Sequence, residues 1–148
     1  MAKSVLLEVI TPSKLFYMGT VEMVIARTLQ GDEGFMADHS WACKLLDVGE
    51  LWIQEEGSKD YKIAAVAGGY IDVKENIVIF TDAAEWPDDI DLDRAMNEKE
   101  RAENWLKMHE KPADNDDEHS LYVAQAQLAI AKAMTRMGVK GGGTRRKR

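Results

Sequence analysis

The chain has 148 residues, with 26 acidic against 19 basic side chains and a formal net charge of −7. That length suits one ordinary domain or two small ones burying about two thirds of their unfolded surface. It excludes a large private active-site cavity, and no stretch approaches the roughly 18 apolar residues that span a bilayer. A single cysteine, Cys43, excludes an internal disulfide or a cysteine metal cluster; its ordinary reading is a small buried hydrophobe. The start Met1-Ala2-Lys3-Ser4 has neither the apolar core of a signal peptide nor an Arg-rich transit segment, which predicts a chain that stays in the cytoplasm of its producer.

From Ser4 to Phe80 the sequence reads as short β segments rich in Val, Ile and aromatic residues. The clearest are Val5–Ile10, Val21–Thr28, Leu51–Gln54, Tyr61–Ala65, Tyr70–Val73 and Ile77–Thr81. Turn chemistry falls at Gly31-Asp32-Glu33-Gly34, Glu56-Gly57-Ser58-Lys59 and Lys74-Glu75-Asn76. Closely spaced strands without a helical period between them predict an antiparallel β-sandwich or a barrel. Gly68-Gly69 is followed by no basic residue or helix start that would cradle a phosphate, so a bulge or a close strand approach is expected there.

At Trp86-Pro87 the texture changes. Pro87-Asp88-Asp89 is a good helix start, and Leu92, Ala95, Lys99, Ala102, Leu106 and His109 recur in steps of three and four along one helical stripe. Lys111-Pro112 and the acidic run after it end that helix near Glu110; a second, Ala-rich helix runs from about Glu118 to Met137. The short connection makes the helices antiparallel neighbours. The chain thus divides into a β-sandwich over residues 1–86 and a C-terminal antiparallel α-helical hairpin with a flexible basic tail over 87–148. Charge follows the division: residues 1–85 carry 14 acidic and 7 basic side chains, residues 86–118 carry 12 and 5, and residues 119–148 carry none and 7. Such a basic end suits an anionic partner.

No phosphate loop, nucleophile elbow or His-Glu-x-x-His stands in the sequence, and His39, His109 and His119 lack metal-ligand spacing. Arg94 and Arg101 lie seven apart on the first helix, Lys132 and Arg136 four apart on the second, so each pair is nearly aligned. Four converging cations need an anion: Glu98, Glu100, Glu85 or Asp91 within the chain, or a bound phosphate chain. The alternative is intrahelical pairing, Arg94 with Glu98, on a solvated face. Trp41, Trp52, Trp86 and Trp105 read as core or interface anchors, with Trp86 at the hinge. Met96, Met108, Met134 and Met137 read first as core filling.

A small β domain joined by an acidic, proline-containing hinge to a helix pair resembles the epsilon subunit of F-type ATP synthases, over roughly Leu6 to Val139. Gly31-Asp32-Glu33-Gly34-Phe35-Met36 with His39 nearby is similar to the family's Gly-x-x-Gly motif and histidine-bearing loop. Ala67-Gly68-Gly69-Tyr70-Ile71-Asp72-Val73 resembles its Ser-Gly-Gly-aromatic strand, and Ile79 to Glu85 its last strand. Ile90-Asp91-x-x-Arg94-Ala95 and Ala133-Met134-x-Arg136-Met137 resemble the start of its first helix and the end of its second. Ala37 and Trp41-Ala42 stand where the family usually has prolines.

The resemblance implies a non-catalytic rotor subunit of the central stalk. Its sandwich would bind the gamma shaft subunit and the membrane c-subunit ring, coupling proton or sodium flux to ATP synthesis. Its hairpin, folded on the sandwich or extended along the shaft, would inhibit hydrolysis at the alpha/beta catalytic head. No cofactor would be required beyond a regulatory ATP, and the chain would sit peripherally on the cytoplasmic side of the bacterial inner membrane. By position, Asp32 and His39 would face the rotor ring. Glu85 and Asp91 would lie near the adenosine of the ATP, and Arg94, Arg101, Lys132 and Arg136 around its phosphates. Lys132 stands where good binders carry arginine, giving charge without the bidentate fork. The other reading is a free-standing ATP-sensing module with a ligand-closed hairpin. A nucleic-acid partner is disfavoured, because the sandwich is acidic and lacks a basic aromatic groove.

Overall fold

The computed structural model describes residues 3–109 and 117–141, and of Asp117 and Glu118 the backbone alone. Of the expected helix breaker from Lys111 to Asp117, all but Asp117, whose backbone is already helical, lies outside the described residues, as does the basic end from Gly142 onward. Seven strands come first: β1 Val5–Ile10, β2 Leu15–Thr28, β3 Gly31–Met36, β4 Ala42–Glu55, β5 Lys62–Val73, β6 Ile77–Phe80 and β7 Ala84–Glu85. A single 3₁₀ turn over Pro87–Asp89 leads to two helices, α1 Leu92–Met108 and α2 Asp117–Lys140.

Strand alternation builds the core. Val5, Leu7 and Val9 of β1 point inward and are buried, as are Val21 and Val24 of β2, Phe35 of β3 and Ile77 and Ile79 of β6. β1 runs antiparallel to the first half of β2 and parallel to β6. β6, β5, β4 and β2 follow one another in antiparallel register, so the sheet returns to β1 and closes as a barrel-like β-sandwich. β3 extends β2 beyond the end of β1. Closure leaves few free strand edges, which protects a small sandwich from edge-to-edge pairing.

Two expected strands, Tyr61–Ala65 and Tyr70–Val73, are one continuous β5, and Gly68-Gly69 inside it does not end the strand. Before the pair Ala64 and Val66 face the core; after it Ile71 and Val73 do. The inward parity therefore inverts across the two glycines, which take φ of 80° and 112°. β4 inverts alongside, from Leu46 to Leu51 and Ile53, where its register against β2 shifts. A Cβ on Gly69 would stand 1.8 Å from the Phe80 carbonyl oxygen, so both φ and close approach demand glycine.

Other expectations are corrected. Gly31-Asp32-Glu33-Gly34 is no turn: the chain reverses at Leu29-Gln30, and residues from Gly31 pair with β2, tied by Arg27 to Asp32 at 3.1 Å and Lys44 to Glu33 at 2.7 Å. Cys43 is exposed, because alternation along β4 sets it on the outer face. Trp41 is exposed rather than an anchor in this chain's core, as are Met96, Met108 and Met134. Pro87-Asp88-Asp89 makes only the 3₁₀ turn; α1 begins after Asp91, whose Oδ1 accepts from the Arg94 amide at 3.1 Å as an N-cap. α2 runs one turn past Met137.

Gly69→Ala is expected to cost roughly 3 kcal/mol or more of stability, measured as a lowered urea midpoint. A wild-type midpoint would reject the close-approach account of this strand.

Candidate functional site: a charged cleft between sandwich and hairpin

The hinge fixes where the helices land. Trp86 stacks on Phe16 at 4.5 Å between ring centroids and meets Tyr17 edge-on, which pins the exit of the sandwich to β2. Ile90 is buried with Ala65 and with Val139 of α2. Glu85 is held by the pairing of β7 with β5, opposite Ala65.

α2 returns along α1 and lies on the outer face of β4 and β5. There, Leu51, Trp52 and Ile53 on one strand and Ala64, Ala65 and Val66 on the other are buried in unbroken runs, with the core beneath and the hairpin above. Ala95 and Ala102 of α1 and Ala133 of α2 are buried, and such small side chains let helices pack closely. Gly138 brings α2 against Glu50, whose Oε1 would be 3.3 Å from a Cβ placed there. Val139 is fully buried, which contributes about 1.5–2 kcal/mol, and Lys140 Nζ donates to the Pro87 carbonyl at 3.0 Å.

Between these contacts lies a cleft of about 390 Å³, walled by Val48 and Ala65–Ala67 of the sandwich and by Glu85, Arg94, Glu98, Lys132, Thr135 and Arg136. Arg136 is its centre. With only 14% of its side chain exposed, its Nη1 donates to Glu98 Oε2 at 3.0 Å and its Nε lies 3.0 Å from Glu85 Oε1. The second contact is an ion pair without an aligned hydrogen bond, since the Nε–H is not aimed at that oxygen. Glu98 turns its other oxygen, Oε1, to Arg94 Nε at 3.0 Å. One carboxylate thus joins guanidinium groups from both helices. Three cations face two carboxylates in the cleft, leaving one net positive charge.

Of the residues expected around an anion, Glu85, Arg94, Lys132 and Arg136 meet here. Three of the four expected cations thus converge, and the intrahelical Arg94–Glu98 pair weighed against that convergence is present beside them. Asp91 is occupied as the α1 cap. Arg101 lines a second groove, on the hairpin itself, with Trp105, Tyr122 and Gln125. Asp32 pairs with Arg27, while His39 tilts onto the Phe35 ring at 5.0 Å with Nδ1 2.6 Å from the Ser40 carbonyl oxygen. Phe35 is three residues along β3 from Asp32, roughly 10 Å. Sequence reasoning missed Thr135 and the sandwich wall of the cleft, whose small apolar side chains carry no chemical signal. It also missed Val139, which a longer helical stripe on α2 would have found.

A β-sandwich closed on itself, with a helical hairpin docked against it through a charged cleft, defines a two-part subunit whose second part folds onto the first. Residues 4–87 match the family model described as "ATP synthase, Delta/Epsilon chain, beta-sandwich domain", and residues 88–141 the one described as "ATP synthase, Delta/Epsilon chain, long alpha-helix domain". The ATP synthase epsilon chain of Caldicellulosiruptor bescii is 39% identical over 132 residues, 88% of this chain and 89% of that one. That of Bacillus pumilus is 34% identical over 140 residues, 94% and 98% of the two. The fold is also that of a chain in the Euglena gracilis mitochondrial ATP synthase, at TM-score 0.70 and 21% identity, covering 89% of this chain and 78% of that one. A chain of the Tetrahymena thermophila mitochondrial ATP synthase central stalk and c-ring follows at TM-score 0.55 and 11% identity, covering 90% and 97%. The chain belongs to the epsilon chain family of F-type ATP synthases.

No described helix is long and apolar enough to cross a membrane.

Arg136→Ala leaves Glu85 and Glu98 without their shared cation and is expected to weaken hairpin docking by about 1–3 kcal/mol. Amide exchange over residues 132–140 should accelerate while β1 and β5 keep their protection; unchanged exchange in α2 rejects Arg136 as the tie.

Proposed function

We propose that this epsilon chain is a non-catalytic rotor subunit of the central stalk, with its sandwich as the coupling element and its hairpin as a brake on hydrolysis. The observation that carries the coupling role is an apolar row on the outside of the sandwich, at the end the hairpin leaves bare. The Leu29 amide donates to the Leu45 carbonyl; Leu45 pairs with Tyr70; Tyr70 pairs with Phe80 and stacks on it at 4.9 Å; Phe80 pairs with Ile10 and Ile10 with Leu15. Leu15, Leu29, Leu45 and Tyr70 are all exposed. A contiguous apolar row on a small acidic sandwich fits a protein partner, and the chain of similar fold from Tetrahymena thermophila comes from an assembly of central stalk and c-ring. The occupant proposed is the gamma shaft subunit. The c-ring would meet the β3 edge, along and just beyond which Asp32, exposed Met36, His39 and exposed Trp41 follow in sequence. Catalysis would lie on the alpha/beta head, and the chain would be peripheral on the cytoplasmic side of the bacterial membrane.

For the brake, the cleft takes the phosphates of a regulatory ATP on Arg94, Lys132 and Arg136, with Glu85 toward the adenosine. Its net positive charge and its span across both helices and the sandwich support this: a ligand held there favours the docked hairpin. At ~100 times its dissociation constant such a ligand adds roughly 2.7 kcal/mol to docking. The undocked hairpin would bring α2, with Lys132, Arg136 and Lys140, to acidic segments of the catalytic head.

Leu45→Asp with Tyr70→Asp is expected to weaken capture of the gamma subunit at least tenfold, in pull-downs from detergent-solubilised complex, with the sandwich still folded. Retention at wild-type level rejects the row as the shaft interface. Calorimetry on the full chain should show ATP binding that Arg94→Ala with Arg136→Ala abolishes; no heat from the wild-type chain rejects the nucleotide reading while leaving the stalk reading to the first test.

A further inference from the structure

We infer that Glu98 is a built-in competitor for anions in the cleft, holding the hairpin docked when no ligand is bound and setting how tightly a phosphate chain can enter. The inference rests on the reading of the cleft as a phosphate site. Glu98 gives one oxygen to Arg94 Nε and the other to Arg136 Nη1, each at 3.0 Å. Arg94 and Arg136 are two of the three cations in the cleft, so a polyanion that engages them meets a carboxylate already bound to one N–H of each and competes with it for both charges.

The two carboxylates hold the guanidinium groups differently. Glu85, 35% exposed, lies beside Arg136 Nε without an aligned hydrogen bond, so it occupies no N–H that a ligand would need. Glu98 lies on a helix surface with 40% of its side chain exposed, and it can swing into water at small cost. Arg136 then keeps Glu85 beside its Nε, so displacement of Glu98 leaves no stranded charge. Removing Glu98 changes the cleft from one net positive charge to two.

Opposite effects follow from one substitution. Glu98→Gln keeps length and helix propensity but loses the charge that both guanidinium groups use. In the ligand-free full chain, the docked-to-undocked ratio should fall roughly three- to tenfold. Spin-label distances between Cys43 and Ser120→Cys read this. At the same time inorganic triphosphate should bind roughly tenfold tighter at low salt, with the gain shrinking as ionic strength rises. A merely structural role would weaken both docking and binding. Glu100→Gln removes an exposed carboxylate of the same helix and serves as the control for net charge; it should change neither reading.

An unchanged ligand-free distance distribution in Glu98→Gln overturns the inference, and so does triphosphate binding no tighter than to the wild-type chain. ATP titrated into the same two proteins separates the readings. If triphosphate gains affinity in Glu98→Gln while ATP binds neither protein, the nucleotide reading fails and the competitor role of Glu98 stands.

Discussion

Arg136 joins what the chain would otherwise leave separate. It projects from the second helix to a carboxylate of the sandwich, Glu85, and to one of the first helix, Glu98. A guanidinium is suited to this because it stays charged and offers several N–H donors in one plane. The contacts reinforcing it follow within little more than one turn: Gly138 against Glu50, Val139 beneath Ile90 and Ala65, and Lys140 on the Pro87 carbonyl. At the other end of the hairpin, the Trp105 ring stacks on His109 and meets His119 and Tyr122 of the second helix. The hairpin is therefore tied to the sandwich near its base, and on the reading proposed above release there would free its length.

The size of the latch matters for what can move it. Burial of Val139 supplies about 1.5–2 kcal/mol, and the partly exposed ion pairs add about 1 kcal/mol or less apiece. The sum is a few kcal/mol, the scale on which a bound ligand or a partner surface acts. A larger apolar interface would fix the hairpin permanently; Ala95, Ala102 and Ala133 instead bury little area while permitting close approach.

Much of this was legible in the sequence, for identifiable reasons. Short runs rich in Val and Ile marked β1 and β6, and the Pro87 hinge and the spacing of Ala95 and Ala102 marked α1. The union of two apparent strands into β5 was hidden, because a glycine pair usually punctuates a strand and here inverts its pleat. Cys43 and the methionines misled because average burial speaks for a residue type, whereas alternation along β4 and the outer faces of the helices decide individual cases. At the site, charge spacing found Arg94, Lys132 and Arg136 together with their candidate counter-ions. It could not tell that Arg101 turns to another groove or that Asp91 is used as a cap, since both depend on which face α1 presents to α2.

The glycine pair also links the two surfaces of the molecule. Because the inward parity changes at Gly68-Gly69, the β4–β5 ribbon turns Leu45 and Tyr70 outward at one end and Trp52 and Ala65 toward α2 at the other. One end is left bare and apolar; the other is covered by the hairpin. In a free-standing sensor the bare end would serve nothing and would invite self-association. On the reading proposed above, a subunit attached to a shaft while its hairpin moves, the permanent contact would fall on one part of the ribbon and the reversible one on the next.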